Sequence, residues 1–169
     1  HGSGFSFAFP LPAQGPGPAN QFVPISTGGG AQNWIEIVNT TAAAAGCLIQ
    51  INDGAGNEIR TLPLLLAPHA QFHIDAAAIL GPNSSGSAKI ISNGSDILAA
   101  QSMFYFTGPA GGIDAMYGTS AEKVHSGSAA GSYNLFLGMS NWLKLYNMTD
   151  SPVAPALKVH SAGGIREIG

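Results

Sequence analysis

Aliphatic and polar residues alternate with a period of two through much of the chain. The segment Ile35–Ile37 reads Ile-Glu-Ile, and the segment Ile49–Ile51 reads Ile-Gln-Ile. Successive side chains of a strand point to opposite faces, so each segment predicts a strand with one buried and one solvated face. This pattern is typical of an antiparallel sheet that covers a core on one side.

Other segments of strand length are separated by Gly, Pro, Asn and Asp, the residues that favour turns. The loop Asp53–Asn57 predicts a tight hairpin connection. The segment Ala76–Leu80, preceded by Asp75, predicts a single helical turn. Short strands at a spacing of roughly ten residues indicate an all-β fold, an antiparallel β-sandwich. The other predicted strands of this unit are Leu48–Asn52, Glu58–Leu62, Gln71–Ile74, Ala88–Ser92 and Ile97–Phe106.

One stretch of the sequence occurs twice. Asn33–Thr41 recurs without a gap as Asn141–Thr149. The correspondence continues through the next strand, where Ile49–Ile51 matches Leu157–Val159. Each copy contains one of the chain's two tryptophans, which makes a chance match a poor explanation. The repeat predicts a second, partial copy of the same sandwich module after the first.

The two copies indicate which face of the repeated strand is inward. Ile35 and Ile37 become Leu143 and Leu145, so this face stays aliphatic. The residue between them changes from glutamate to lysine, a charge reversal that a solvated position tolerates easily. We therefore expect the aliphatic face to be buried and the charged face to be exposed in both copies.

The chain divides into four predicted parts. Residues 1–21 form an uncharged, Phe/Pro-rich N-terminal arm, and residues 22–110 form the sandwich. Residues 111–131 are predicted to be a Gly/Ser-rich linker, and residues 132–169 a partial second copy with the early strands only. Within the arm, three phenylalanines at alternate positions lie on one face of a predicted assembly strand. The prolines after them predict a stiff, extended connector. These phenylalanines are Phe5, Phe7 and Phe9.

Composition excludes several classes of function. Charged residues make up 9% of the chain, against roughly 25% in an average domain, and the formal net charge is -3. The six lysines and arginines form no basic stripe for nucleic acid or anionic lipid. No apolar run approaches the roughly 20 residues of a membrane-spanning helix, so we expect no membrane insertion. With one cysteine an intrachain disulfide is excluded. Since the chain begins at His1 rather than Met, we expect that it has been processed, cleaved or left with a tag remnant.

The order of motifs resembles a known kind of module. Ser132–Leu137 is followed by Asn-Trp-Leu-x-Leu-x-Asn at Asn141–Asn147, then by an aliphatic strand and a Gly-rich hairpin. This order is similar to the tandem β-sandwich repeat modules of large bacterial exported proteins, which serve as stalks, surface-layer parts or filament subunits. The resemblance covers Gln21–Phe106 and Ser132–Gly169. It implies the sandwich fold and a structural role, and it carries no catalytic or binding residues.

Four Asn-x-Ser/Thr sequons lie in predicted turns. An exported protein can carry glycans at such sites. Alternatively, Asn and Thr simply form these turns, because their side chains bond to the local backbone. The candidate glycosylation sites are Asn39, Asn83, Asn93 and Asn147.

Candidate metal and catalytic groups are sparse. The loop Asp53–Asn57 is rich in oxygen ligands, but it lacks the alternating carboxylates and the distal Glu of a calcium loop. His69 and His73 stand on a predicted strand about 13 Å apart, too far to share a metal. The sequence has neither a nucleophile elbow nor an obvious carboxylate pair. We expect no enzyme activity, no metal and no cofactor. We expect Cys47 to be a small buried apolar residue, and the alternative is an interchain disulfide.

The two tryptophans, Trp34 and Trp142, are predicted on the face opposite the aliphatic stripe. Large aromatic side chains anchor contacts between modules, and they also form platforms for sugar rings. The sequence contains no further cluster of exposed aromatics, so we favour an interface between modules.

Together these features favour a structural subunit of an extracellular filament, stalk or surface layer, which assembles with copies of itself by strand exchange or strand addition. Sparse charge suits burial between subunits, and an uncovered strand edge is a liability unless a neighbour covers it. The alternative is a carbohydrate-binding or adhesion module of a larger secreted surface protein, with polysaccharide as its partner. A third hypothesis is an accessory domain of a secreted enzyme. All three locate the chain outside the cell or at its surface.

Overall fold

The computed structural model describes residues 15–122, 127, 130–131, 133, 143 and 145–168. The chain divides into two compact units, His1–Ser128 and Ala129–Gly169. The first unit contains two four-stranded sheets, and the predicted antiparallel β-sandwich is thereby confirmed. The second unit contains a two-stranded sheet.

The strands of the first unit follow one another through short connections. In chain order they are β1 (Asn20–Ser26), β2 (Gln32–Asn39), β3 (Ala45–Asp53), β4 (Glu58–Leu66), β5 (Gln71–Asp75), β6 (Ser85–Ser92), β7 (Leu98–Thr107) and β8 (Ile113–Ser120). A 3₁₀ turn at Gly28–Gly30 precedes β2, and the short helix α1 (Ala77–Leu80) follows β5. One sheet has the order β1-β6-β3-β4 and the other has the order β5-β2-β7-β8. All neighbouring strands are antiparallel.

The core lies between the inward faces of the two sheets. Ile35 and Ile37 of β2 and Ile49 and Ile51 of β3 are all completely buried. Removing such a side chain from water contributes about 1.5–3 kcal/mol to the free energy of folding. Glu36, between the first two, stays partly exposed. The inward face predicted from the alternation is confirmed in this unit.

Two local structures predicted from the sequence are confirmed at the turns. In the β3–β4 hairpin, Asp53 Oδ1 accepts hydrogen bonds from the backbone N–H groups of Ala55 (2.9 Å) and Asn57 (2.8 Å). At the start of α1, Asp75 Oδ1 accepts a hydrogen bond of 2.9 Å from the N–H of Ala77. In both places a carboxylate satisfies N–H groups that the chain reversal leaves without a backbone partner.

The linker predicted over residues 111–131 is wrong for residues 113–120, because these form β8. β8 pairs with β7, and Tyr117 stacks on Phe104 with the ring centroids 4.4 Å apart. β7 and β8 are consecutive strands joined by residues 108–112, and the glycines around β8 led to the linker prediction. After β8 the chain crosses to the edge of the other sheet, where Glu122 and Phe22 exchange backbone hydrogen bonds of 2.8 and 2.9 Å.

Part of the predicted N-terminal arm also belongs to the sandwich. β1 begins at Asn20, inside the range assigned to the arm. Before it, the N–H of Gly17 donates to Leu98 O (2.9 Å), and Gly17 O accepts from the N–H of Asp96 (2.8 Å). The last residues of the arm are therefore fixed to the sandwich by backbone hydrogen bonds. The predicted assembly strand, Phe5, Phe7 and Phe9, lies outside the described residues.

The second unit contains a hairpin of β9 (Leu157–Ser161) and β10 (Gly164–Ile168). Gly164 has a φ of 112°, which favours glycine at this tight connection. Val159 lies opposite Arg166, as Ile51 lies opposite Arg60 in the β3–β4 hairpin. The correspondence between the two copies therefore continues through β10, one strand beyond the early strands to which the sequence comparison assigned it.

Candidate assembly surfaces

Asn33 is the first inward-facing residue of the repeated strand β2, and it is buried. Asn33 Nδ2 donates hydrogen bonds to Ser102 Oγ (2.8 Å) and Met103 O (2.9 Å), and Asn33 Oδ1 accepts one from the N–H of Ser26 (2.9 Å). Ser26 belongs to the opposite sheet, so the Asn33 side chain joins the two sheets. No role was predicted for this residue. Its signal in the sequence is an asparagine at the same place in both copies of the repeat.

Asn39 is the last residue of β2. Its amide nitrogen donates to Ala43 O (2.7 Å) and Ala67 O (2.9 Å), and its Oδ1 accepts from the N–H and the hydroxyl of Thr41 (3.0 and 2.9 Å). The residue is completely buried. A glycan on this nitrogen would displace its hydrogen bonds, so the folded unit favours turn formation over glycosylation at Asn39.

The second copy forms the same turn. Asn147 Nδ2 donates to Ser151 O (2.8 Å), and Asn147 Oδ1 accepts from the N–H and the hydroxyl of Thr149 (3.0 and 2.8 Å). The Thr149 hydroxyl also lies 2.8 Å from Ser151 O, as the Thr41 hydroxyl lies 3.0 Å from Ala43 O. The repeated sequence thus adopts the same local structure in both units.

The two copies differ in the burial of their aliphatic residues. Ile35 and Ile37 of the first unit are 0% exposed, whereas their counterparts Leu143 and Leu145 are 62% and 61% exposed. The expectation that this face is buried in both copies is therefore wrong for the second unit. The pattern of a core strand is retained at positions that the second unit leaves in solvent.

Most residues of the β9–β10 hairpin are exposed, whereas Leu157 and Val159 are half-buried. In the part of the second unit that the structure describes, β9 pairs with β10 alone. Its counterpart β3 lies between β4 and β6 within a complete sandwich. Leu157 and Ile168 lie opposite each other, and Val159 stands two positions along, on the same side of the hairpin.

Another apolar surface lies on the outer side of the β1-β6-β3-β4 sheet. Pro63, Leu48 and Ile91 form a row across β4, β3 and β6. Leu65 stands beside this row and is 75% exposed. These residues line a groove of about 530 Å³. The sandwich thus presents apolar side chains on its surface in addition to those in its core.

Trp34 lies on the outer side of the other sheet, opposite the aliphatic stripe as predicted, and it is partly buried. In register with it is Met103 of β7, which is buried although it is on the outer side. On the same side, Glu36 Oε2 accepts a hydrogen bond from Gln101 Nε2. Burial, and secondly the negative charge of Glu36, raises the pKa of the neighbouring Tyr105 hydroxyl. The result is a half-buried aromatic and carboxylate surface.

The remaining predicted sites lie in loops or outside the described residues. Trp142, the second interface aromatic, is outside them. Asn83 lies in a turn with a φ of 51°, and Asn93 lies in the loop between β6 and β7. Both side chains belong to exposed residues, so Asn83 and Asn93 stay candidate glycosylation sites.

Titratable and metal-binding groups stand apart from one another. Among the described residues, no three His, Cys, Asp or Glu side chains come together to hold a metal ion. His69 lies in the turn before β5 and His73 lies within β5, and both are exposed. Cys47 is buried, and its burial raises the pKa of the thiol. The same part of the chain contains no helix long and apolar enough to cross a membrane.

These features define an all-β sandwich protein with a second, hairpin-containing unit built on the same repeat. No family model matches the chain, and no curated protein matches it. Among solved structures, the chain is similar to the crystal structure of Thermotoga maritima 1070, with a TM-score of 0.49 and 14% identity over 63% of this chain and 94% of that chain. A similarity at this level assigns neither a family nor a function.

Proposed function

We propose that this protein is a structural subunit of an extracellular filament, stalk or surface layer, whose copies assemble by strand exchange or strand addition. The observation that carries the proposal is the contrast between the two copies of the repeat. Ile37 is 0% exposed, whereas its counterpart Leu145 is 61% exposed. An apolar face in solvent is a liability for a protein that acts alone and an advantage for one that a neighbour covers.

Composition supports the same proposal. Only 9% of the residues are charged, and the depletion of charge is typical of surface that is buried between protein subunits. The motif order resembles modules of bacterial stalks, surface layers and filaments, which are exported. We therefore place the chain at the cell surface or outside the cell, with copies of itself as the partner.

Strand addition suits the available edges. Among the described residues, β4 pairs only with β3 and β5 only with β2, so each sheet of the first unit ends at an edge with unpaired backbone groups. A strand added at such an edge gains affinity from main-chain hydrogen bonds. Its register is specified by alternating side chains, because a slip by one residue moves every apolar side chain to the solvent face. The alternating Phe5, Phe7 and Phe9 are the assembly strand in this proposal.

The experiment is a measurement of particle size under native conditions. The 169-residue chain has a mass of 17.2 kDa, and we expect it to sediment as large particles that are visible by electron microscopy. Deleting Gly2–Phe9 is expected to give a monomer with the β-sheet circular dichroism intact. An unaltered chain that remains monomeric at all concentrations would falsify the proposal. A deletion variant that assembles normally, or one that unfolds, would instead remove the assembly role of the phenylalanines.

A second candidate is carbohydrate binding, favoured by the outer surface around Trp34. Trp34 and Tyr105 lie there beside the hydrogen-bonded Glu36 and Gln101, and aromatic rings next to polar groups are the usual components of a sugar site. Tryptophan fluorescence in the presence of soluble polysaccharides tests this candidate in a Trp142→Phe background, where Trp34 is the only emitter. Saturable quenching that Tyr105→Ala weakens would support it, whereas an unchanged spectrum would exclude it.

A further inference from the structure

We propose that a second copy of the chain adds its strand along the outer edge of β5, the side away from β2, and that Pro24 and Pro63 protect both edges of the other sheet against such addition. The inference rests on the proposed function, which supplies the second copy, and it adds the edge that accepts the strand. In an antiparallel strand the backbone N–H and C=O groups of successive residues point alternately to the two sides. One cross-strand hydrogen bond therefore fixes these directions along the whole strand.

Pro24 protects the edge strand β1. The N–H and C=O of Phe22 bond to Glu122, on the side of β1 away from β6. Pro24 stands two residues further along β1, so its nitrogen is directed to the same side. Proline has no N–H to donate there, and a strand added along β1 would lose a hydrogen bond of the ladder.

Pro63 has the same orientation in the edge strand β4. The N–H of Asn93 donates to Gly46 O (3.2 Å), so Gly46 of β3 directs its backbone groups to β6, and Leu48, two residues on, does the same. Pro63 lies opposite Leu48, and its nitrogen is therefore directed away from β3. Both edge strands of this sheet thus contain a proline whose nitrogen faces outward, a placement that blocks the addition of a strand.

The edge strand β5 contains no proline. The N–H of Ala76 donates to Asn33 O, and Ala70 O accepts from the N–H of Asn39, each at 2.9 Å. Ala70 and Ala76 flank β5, so every second residue between them directs its backbone groups to β2, and the others direct theirs to the outer edge. The residues directed to the outer edge are Gln71, His73 and Asp75.

β8, the other edge strand of the same sheet, is less suited to strand addition. Its pairing with β7 contains a register shift between Phe106 and Thr107, and Gly118 lies within it. A bulge and an interior glycine both weaken an edge as a template. After β8 the chain crosses to β1, where Glu122 and Phe22 exchange hydrogen bonds. The chain itself therefore bridges this side of the sandwich.

β5 also presents an apolar side chain that an added strand would cover. Phe72 lies opposite Ile37 on the inward side, yet it is 44% exposed, whereas Ile37 is 0% exposed. A strand along β5 would place a side chain beside the Phe72 ring and extend the core layer. Gln71 and His73 are exposed as well, so the outer edge is accessible along most of β5.

Sparse charge makes a second copy a suitable partner at this edge. Charged residues make up 9% of the chain, and no Asp, Glu, Lys or Arg precedes Glu36. A charged side chain beside Phe72 would lose its hydration without gaining an ion pair, whereas an uncharged strand avoids this cost.

Proline substitution tests the inference, because it removes one N–H and leaves the core side chains in place. His73→Pro removes an N–H directed to the outer edge of β5 and retains the hydrogen bonds to β2. Thr61→Pro is the matched control, since Thr61 lies opposite Gln50 in β4 and its N–H is also directed away from the neighbouring strand. We expect Thr61→Pro to sediment as large particles like the unaltered chain and His73→Pro to lose them, with similar unfolding midpoints in the two variants.

A second pair of variants leaves the backbone unchanged. Phe72→Lys places a charge at the apolar position that the added strand covers, and we expect it to abolish the large particles. The control is Ile59→Lys in β4, because Ile59 is 44% exposed, as Phe72 is. We expect Ile59→Lys to assemble normally. If His73→Pro does not fold, this pair decides the test alone.

Three outcomes would overturn the inference while the unaltered chain still forms large particles. In the first, Phe72→Lys and a folded His73→Pro both assemble normally. In the second, Thr61→Pro and Ile59→Lys lose the particles as completely as the β5 variants do. In the third, Phe72→Lys assembles and His73→Pro folds with a much lower unfolding midpoint than Thr61→Pro, which would place a strand of the same copy along β5. Failure of the unaltered chain to form large particles would count against the proposed function itself.

Discussion

The side-chain amide of Asn33 donates a hydrogen bond of 2.8 Å to the hydroxyl of Ser102, and both residues are completely buried. Asn33 also bonds to Met103 O and to the N–H of Ser26, each at 2.9 Å. Ser26 and Met103 belong to different sheets. One side chain therefore satisfies three buried polar groups and connects the two layers of the sandwich.

Asn33→Ala is expected to destabilise the first unit by about 3 kcal/mol or more, because each buried polar group left unpaired costs about 1–3 kcal/mol. Denaturant unfolding measures the loss. The matched control is Asn93→Ala in the exposed loop before β7, which should change stability by less than about 0.5 kcal/mol. Equal effects of the two substitutions would show that Asn33 does not hold the sheets together.

The inward face of β2 gives a second test. Ile37→Asp places a charge where the structure offers it no partner, and we expect a loss of about 4 kcal/mol or more. Glu36→Lys removes a hydrogen bond from Gln101 at a partly exposed position, and we expect a loss below about 1 kcal/mol. Thermal or denaturant unfolding compares the two. The reverse order of stabilities would mean that the inward and outward faces are exchanged.

Much of this sandwich follows from short-range patterns. The alternation in β2 and β3 is a local property of the sequence, and it was sufficient to assign the inward faces of both strands. The hairpin after Asp53 and the helical turn after Asp75 were also predictable, since each depends on a carboxylate that bonds to backbone N–H groups only a few residues away.

Two features of the fold were not predicted. β8 forms a hairpin with the preceding strand β7 through residues 108–112, and Tyr117 stacks on Phe104, but the glycines that flank β8 favoured a linker at this place. The exposure of Leu145 could not be predicted either. The pattern Leu-x-Leu is the same whether or not a further strand covers it, so only the three-dimensional surroundings distinguish a core strand from an open one.

The hairpin carboxylate predicts a pH dependence. Hydrogen bonds from the side chain and the backbone of Asn57 lower the pKa of Asp53. The ionised form is therefore favoured in the folded state, and its contribution is present above the ordinary aspartate pKa of about 3.9 and lost as the pH falls through the lower, folded-state pKa.

We expect the amide signals of Ala55 and Asn57 to titrate in NMR spectra with a midpoint below that ordinary value, and Asp53→Asn to abolish the transition. A midpoint at or above it would contradict the hydrogen bonding at this turn.

Calcium removal is expected to leave the melting temperature unchanged, because the Asp53 oxygens already accept hydrogen bonds from Ala55 and Asn57. A downward shift of several degrees would assign the loop to a cation instead.

The last prediction separates folding from assembly at one position of the repeat. Leu145→Asp changes a residue that is 61% exposed in the second unit, whereas its counterpart Ile37 is 0% exposed in the first. Under the proposed function, Leu145→Asp leaves the unfolding transition of the first unit unchanged and prevents the formation of large particles, because a charge on a covered apolar face costs several kcal/mol. Lys144→Glu is the matched control, since it restores the residue of the first copy, and it should assemble normally. Denaturant unfolding and sedimentation of the two variants and of the unaltered chain measure the two properties independently. If Leu145→Asp assembles as well as the unaltered chain, the exposed leucines are not part of the contact between copies.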